Sequence, residues 1–194
     1  MYTIYGTLRS RAFRPMWTLE ELGQPYSLVE ATPQSDIVRN VSALGKIPVL
    51  DVDGTLVSDS VAIMTYLADR HAALTFPSGT LERAHQDATT FRWLDEVDSL
   101  LWSAARHVRV LPDAQRCAAV LPSIQWELDR NLTRIEEEFS TEFIAGDVFT
   151  IADILATHCL NWAHSVDLPT GGEKLTAYTK RMRARPAFQK LFKR

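Results

Sequence analysis

The sequence has little cysteine. Only Cys117 and Cys159 occur among 194 residues, both within apolar helical patterns, so buried free thiols in a reducing compartment are expected rather than a disulfide framework. It also lacks an excess of either charge. Twenty-one Lys and Arg against 24 Asp and Glu leave a net charge of −3 spread along the chain, which gives no field to collect nucleic acid or an anionic membrane surface. Long hydrophobic runs are missing as well. The opening MYTIYGTLRSRAFR reaches arginines before any leader-length apolar run, and no later stretch approaches the roughly 20 apolar residues of a membrane span. A cytoplasmic protein without nucleic-acid or membrane partners is expected. Metal and nucleotide motifs are absent too. The five histidines show no ligand spacing, and His158 and Cys159 are adjacent and so directed to different helix faces. Gly171-Gly172 has no strand-to-helix context, so neither a metal nor a nucleotide cofactor is expected.

What is present is ample material for a core: 46% of the residues are hydrophobic. Up to about Phe76 the pattern alternates. TIYG reads as a strand, and SRAFRPMWTLEELG as a helix, with Ala12, Met16, Leu19 and Leu22 on one face and Gly23 as its stop. YSLVEA is a second strand, followed by a short polar helix near 35–43. IPVLDV and TLVS form a hairpin through Asp53-Gly54, and SVAIMTYLADR closes this half as a helix. Pro77, Ser78 and Gly79 mark a boundary, beyond which no strand is predicted. Long helices are expected over 81–109 and 113–140, and shorter ones near 150–165, 173–184 and 186–192. The fold class is therefore α/β followed by an all-α bundle.

Two segments carry chemistry. Pro48 either simply opens an edge strand or follows a cis peptide at Ile47, which would turn the Ile47 N–H and C=O outward to pair with an extended peptide. Ser58, Asp59 and Ser60 precede an amphipathic helix that needs only one of them as its cap. The remaining hydroxyl and the free N–H groups of the first turn suit a carboxylate, and Asp59 suits an ammonium group. Together these residues fit a small peptide anchored by its N-terminal residue.

LGKIPVL followed by SDSVAI, in this order of strands and helices, resembles the cis-proline and acid-serine segments of the cytosolic glutathione transferases. FTIADI resembles that family's capping element, with Thr150 as cap and Asp153 as its partner, and RARPAF fits its C-terminal helix. The resemblance spans essentially the whole chain and points to a serine-type, bacterial-like member. It implies a thioredoxin-like domain at 1–76, a linker at 77–81 and an all-helical domain at 82–194. It also implies glutathione as co-substrate, held by Lys46, Ile47, Pro48, Asp59 and Ser60, and a homodimeric, detoxifying transferase acting on hydrophobic electrophiles. The chain departs from the family pattern in two places: Asp59 stands where glutamate is usual, and Ser42-Ala43 where Asn-Pro is usual. Asp59 is one methylene shorter, so its reach to the tripeptide amine is longer or bridged by water.

The group that stabilises the thiolate belongs at the first strand-to-helix junction, where Tyr5, Thr7, Arg9, Ser10 and Arg11 are available. No cysteine stands there, which removes thiol–disulfide exchange through the protein. Ser10, just ahead of the helix, is the first candidate, with capping as its structural alternative. Counting back from the helix instead favours Arg9, and Thr7 is the other hydroxyl. A free thiol of pKa about 8.5 gains at most about thirtyfold in thiolate at pH 7, so the remaining acceleration must come from positioning the electrophile. Trp102, Arg106 and Arg109 lie along one predicted helix face as a wall for that second substrate, with Trp162 opposite. A glutathione-dependent isomerase or dehalogenase of small acids is an alternative, although Arg9-Ser10-Arg11 does not match the serine-serine-cysteine element of the isomerase branch. A non-catalytic glutathione-binding or interaction module of the same fold is another.

Overall fold

A computed structural model describes residues 1–193; Arg194, the last residue of the segment expected at 82–194, lies outside them. The first half runs β1 (Tyr2–Gly6), α1 (Phe13–Glu21), β2 (Tyr26–Glu30), α2 (Asp36–Val41), β3 (Val49–Val52), β4 (Thr55–Ser58) and α3 (Ser60–Arg70). The strands form one sheet in the order β2-β1-β3-β4, with β1 parallel to β2 and antiparallel to β3, and β3 antiparallel to β4. This is the predicted thioredoxin-like order. Asp53 and Gly54 both take positive φ, 52° and 90°, as a two-residue hairpin turn requires. Pro15 falls in the first turn of α1, where a missing N–H costs little.

The second half is helical. From α4 (Leu81–Trp93) the chain passes through a π-helical turn, Leu94–Asp98, into α5 (Ser99–Ala105) and a second π turn, Arg106–Val110. The expected single helix over 81–109 is thus one path interrupted twice, and each wider turn shifts the register of the face that follows. The second long helix, expected from 113, begins only at Leu121 as α6 (Leu121–Glu138). Two 3-10 turns, Asp113–Gln115 and Ala118–Val120, replace its first turns. Pro122 is tolerated in the first turn of α6 but would lack its N–H and clash with the preceding turn inside a helix begun at 113, and the Arg116 side chain donates to the carbonyls of Leu111 and Arg109, holding the segment in a loop. Cys117 is consequently exposed and non-helical, contrary to expectation, whereas Cys159 is buried.

The chain closes with α7 (Ile151–Ser165), α8 (Glu173–Arg183) and α9 (Pro186–Leu191). No helix among the described residues is long and apolar enough to cross a membrane.

The core is continuous across the two halves. Helix α1 packs on α3, α7 and α9, and its Phe13 and Trp17 rings meet Phe188 at 5.3 and 4.9 Å. Arg185 grips Glu21 with two hydrogen bonds, at 2.7 and 2.8 Å, which ties the C-terminal helix to α1. The connecting segment is fastened too. Arg83, 8% exposed, bonds Asp69, Asp87 and the Phe76 carbonyl, and Ile151 N–H reaches the Leu74 carbonyl at 2.9 Å.

Helix α7 starts with the expected cap. Thr150 Oγ1 accepts from Ala152 N–H at 3.3 Å, and Thr150 N–H donates to the Asp153 carboxylate at 2.8 Å, the reciprocal arrangement of a capping box. Asp153 also accepts from Ile144 N–H and Tyr178 O–H, both at 2.8 Å, so it fixes the preceding loop and α8 as well as α7. Thr150→Ala is expected to cost about 1 kcal/mol in urea denaturation, the usual value of one cap, with the m-value unchanged.

Candidate active site

A cleft of about 1310 Å³ separates the C-terminal edge of the sheet from α5 and α7. It exceeds the roughly 300–1,000 Å³ typical of a single ligand pocket, which leaves room for two small molecules side by side.

The turn between β1 and α1 forms one wall, and its shape depends on Gly6. A Cβ there would lie 2.4 Å from the Ala12 Cβ, so only glycine lets the turn fold this closely over the end of β1. Ser10 sits on that turn. Its hydroxyl donates to the Thr7 carbonyl at 2.8 Å and accepts from Ala12 N–H at 3.1 Å. The Ser10 hydroxyl thus lines the cleft while tied within the turn, whereas α1 itself starts after Ala12 without a side-chain cap, and the hydroxyl can donate to a ligand only by leaving the Thr7 carbonyl. Thr7 and the exposed Arg9 line the same wall.

On the opposite side of the sheet edge the Ile47-Pro48 peptide is cis, and both residues line the cleft. Strand pairing begins only at Val49, so the Ile47 N–H and C=O have no partner among the described residues. Exposed Lys46 is beside them, and its N–H donates to Ser42 Oγ at 3.2 Å.

Asp59 is the cap of α3. One carboxylate oxygen accepts from Val61 N–H at 2.8 Å and Ala62 N–H at 3.0 Å, leaving the other oxygen open to the cleft. Its φ of 74° is a conformation that non-glycine residues rarely hold, of the sort found where a structure over-determines a side chain's aim. Ser60 follows, 3% exposed, with its Oγ accepting from Arg14 at 3.1 Å.

Behind these residues lies a charged cluster that the sequence did not reveal. Arg14, only 1% exposed, pairs with Asp98 and also donates to His158 Nδ1 at 3.1 Å. Arg11 bonds Asp98 through Nη2 at 2.6 Å and Nε at 3.3 Å. Burial would push the Asp98 carboxyl up, but Arg14 and Arg11 outweigh it and hold it down at about 2. Burial, reinforced by Arg14, keeps His158 neutral, well below its usual range. Cys159, pushed by burial up to about 12, is no nucleophile. His158 and Cys159, expected on different faces, both reach Arg14, the sulfur at 3.7 Å, because the guanidinium lies between them.

The residues expected to wall a second substrate are arranged differently from expectation. Trp102 and Trp162 do line the cleft, but each ring centroid lies 5.0 Å from the Arg11 guanidinium carbon, so both rings hold a cation. Arg109 lines the cleft, whereas Arg106 is exposed and outside the lining. The π turn that starts at Arg106 carries one more residue than an α turn, which breaks the spacing on which their alignment rested. No cluster of three or more metal-type ligands occurs among the described residues.

Comparison with known proteins agrees with this architecture. The family model described as Glutathione S-transferase, N-terminal domain, matches residues 5–75, and Glutathione S-transferase, C-terminal domain, matches residues 102–186. Glutathione S-transferase GstA of Escherichia coli O157:H7 is 31% identical over 183 residues, covering 89% of this chain and 88% of its own. The chain belongs to the glutathione S-transferase family and is a transferase of that fold. Among solved structures, a glutathione transferase from Methylococcus capsulatus str. Bath superposes with a TM-score of 0.87 at 23% identity, covering 100% of this chain and 98% of that one. A glutathione S-transferase domain-containing protein from Marinobacter aquaeolei VT8 gives 0.85 at 25% identity, over 96% and 99%. The theta-class enzyme of Xanthomonas axonopodis pv. citri, solved with glutathione bound, gives 0.79 at 24%, over 97% and 95%.

The Asp98 ion pairs give a prediction about acid stability. A carboxyl lowered from its ordinary 3.8 to about 2 contributes stability that is fully present above pH 3.8 and lost as pH falls through 2. The shift corresponds to about 2 kcal/mol, and Asp98→Asn should remove that acid-labile component from denaturation curves measured between pH 5 and pH 2, roughly, while lowering stability at neutral pH by leaving Arg14 uncompensated.

Proposed function

We propose that the protein transfers the sulfur of glutathione to an electrophile, by substitution or addition. The observation that carries this reading is the convergence on one cleft of Ser10, the unpaired Ile47 peptide, and the Asp59-Ser60 pair at the start of α3. Asp59 would hold the γ-glutamyl ammonium, Ser60 its carboxylate, Ile47 the backbone of the tripeptide, and Lys46 the glycyl end. Pro48 sets the edge along which it lies. Ser10 would donate to the thiolate, its oxygen already polarised by Ala12 N–H. Arg9 and Thr7 remain the alternative holders of that role. In this reading the enzyme is a cytoplasmic homodimer of two-domain subunits, divided at 77–81.

Calorimetric titration tests the reading: glutathione should bind with a Kd in the micromolar to low millimolar range, and no heat at millimolar ligand would reject it. Given binding, Ser10→Ala should raise the pKa of the bound thiol toward about 8.5 and lower turnover at neutral pH by about tenfold to thirtyfold. The ultraviolet band of the thiolate, followed against pH, reads the shift directly. An unchanged titration would move the role to Arg9 or Thr7.

The rim of the cleft favours an acidic second substrate. Arg9, Lys46, Arg109 and Arg183 line it without an ion-pair partner among the described residues, while Asp98 is taken up by Arg11 and Arg14. An aryl halide bearing a carboxylate is expected to show a KM several-fold lower than its neutral analogue at low salt. That advantage should shrink in Arg109→Gln and in high salt. Halide release from small halogenated acids would extend the same reading to dehalogenation.

A further inference from the structure

The charged cluster behind the site is unbalanced, and the imbalance has an open end. Arg11 and Arg14 both bond Asp98, and no other carboxylate bonds either of them among the described residues, so two guanidinium groups share one negative charge. Of the two acids lining the cleft, the other, Asp59, is the cap of α3. Arg14 is sealed at 1% exposure. The Arg11 side chain keeps 26% of its surface open and lines the cleft, so the surplus positive charge meets the ligand space there.

The bonds of Arg11 show which of its nitrogens is free. Nε and Nη2 form a fork on the two oxygens of Asp98, at 3.3 and 2.6 Å. Nη1 has no partner among the described residues and, unlike Arg14 Nε, is not among the polar atoms sealed from solvent. A guanidinium can only donate, so this nitrogen offers the cleft two N–H groups and no acceptor. Its direction is also fixed. The carboxylate holds one edge of the group, and the Trp102 and Trp162 ring centroids each lie 5.0 Å from its central carbon. A charged donor held in this way needs little reorganisation when charge develops on a ligand oxygen in front of it.

We propose that Arg11 is a catalytic residue toward the second substrate, its Nη1 donating to an electrophile oxygen that takes up negative charge, and that the substrates it suits are planar enones and related conjugated carbonyl compounds. This rests on the glutathione-transfer reading given above. In the step, the thiolate sulfur forms a bond to the β-carbon, the C=C electron pair moves into an enolate, and the oxygen carrying its charge accepts from Nη1. A proton from solvent, replacing the one the thiol released, then bonds the α-carbon. The indoles beside Arg11 supply flat apolar surface for the conjugated plane, while Ser10, its neighbour on the same turn, keeps to the sulfur. The full charge on oxygen exists only once the sulfur adds, so Arg11 acts chiefly on kcat.

Two electrophiles, given to the full chain with glutathione, test the assignment: benzylideneacetone, whose oxygen gains charge, and benzyl chloride, which has no oxygen. Both reactions start from the same bound thiolate, so an effect on thiol ionisation cancels in the ratio of their kcat/KM values. Arg11→Met should lower the ratio of enone to chloride about tenfold to hundredfold, with the loss in kcat for the enone. Arg11→Lys, which keeps a charge on Asp98 should the methionine variant not fold, is expected to lower it several-fold, because one nitrogen replaces three. An unchanged ratio in a folded variant, or a wild type that turns over benzyl chloride but not the enone, would overturn the role of Arg11 and leave the parent reading standing. A wild type that binds no glutathione would instead overturn the parent reading and this one with it.

Discussion

The buried pair of Arg14 and Asp98 is the constraint on which the site depends. Arg14 comes from the first helix of the sheet half, Asp98 from a π turn of the helical half, and both charges are largely buried, Arg14 at 1% and Asp98 at 7% exposed. Removing one partner from such a pair typically costs about 3–5 kcal/mol, because the other is left buried and uncompensated. The two halves are therefore locked in one relative placement at the point where the cleft forms. Other fastenings, Arg185 with Glu21 and Arg83 with Asp69, secure the junction further from the chemistry.

That lock matters because neither half holds a complete site. The sheet half presents Ser10, the Ile47 peptide and the Asp59-Ser60 cap along one edge, all as consequences of local backbone demands: a glycine-permitted turn, a cis bond before β3, and a strained N-cap. The helical half brings Trp102, Trp162 and Arg109 to face them. Arg11 joins the two, with its charge on Asp98 and its guanidinium against both indoles. A side chain adjacent to the candidate reacting serine thus joins the indoles on the facing wall of the cleft.

Much of this was legible in the sequence because it follows from local rules. Alternation and helical spacing gave the order of strands and helices, Asp53-Gly54 the hairpin, and Thr150 with Asp153 the cap. The residues lining the cleft from the sheet side were readable from the same local signals around Pro48 and Ser60. What escaped was long-range. Arg14 looks like any charge on an amphipathic helix, and nothing in LDEVDS distinguishes buried Asp98 from Asp95 or Glu96. An arginine between Phe13, Pro15, Met16 and Trp17 was the available hint, since a charge flanked by core residues needs a buried partner. The π turns left no compositional trace, and the misplacement of Arg106 follows from them. Cys117 was misassigned because its apolar neighbours suggested a helix that Pro122 and the Arg116 hydrogen bonds prevent from starting.

The protonation states of the buried cluster have a consequence for the chemistry in front of it. Asp98 stays ionised down to about pH 2, Cys159 stays protonated up to about 12, and burial with Arg14 keeps His158 neutral. None of the three changes charge in the neutral range, so the field they impose on Ser10 and Ser60 is constant there. A scaffold whose charges do not titrate can hold hydroxyl directions fixed while a ligand's own thiol ionises. On the function proposed above, the pH dependence would then belong to the bound thiol rather than to the protein behind it, which is what preorganised electrostatic stabilisation requires.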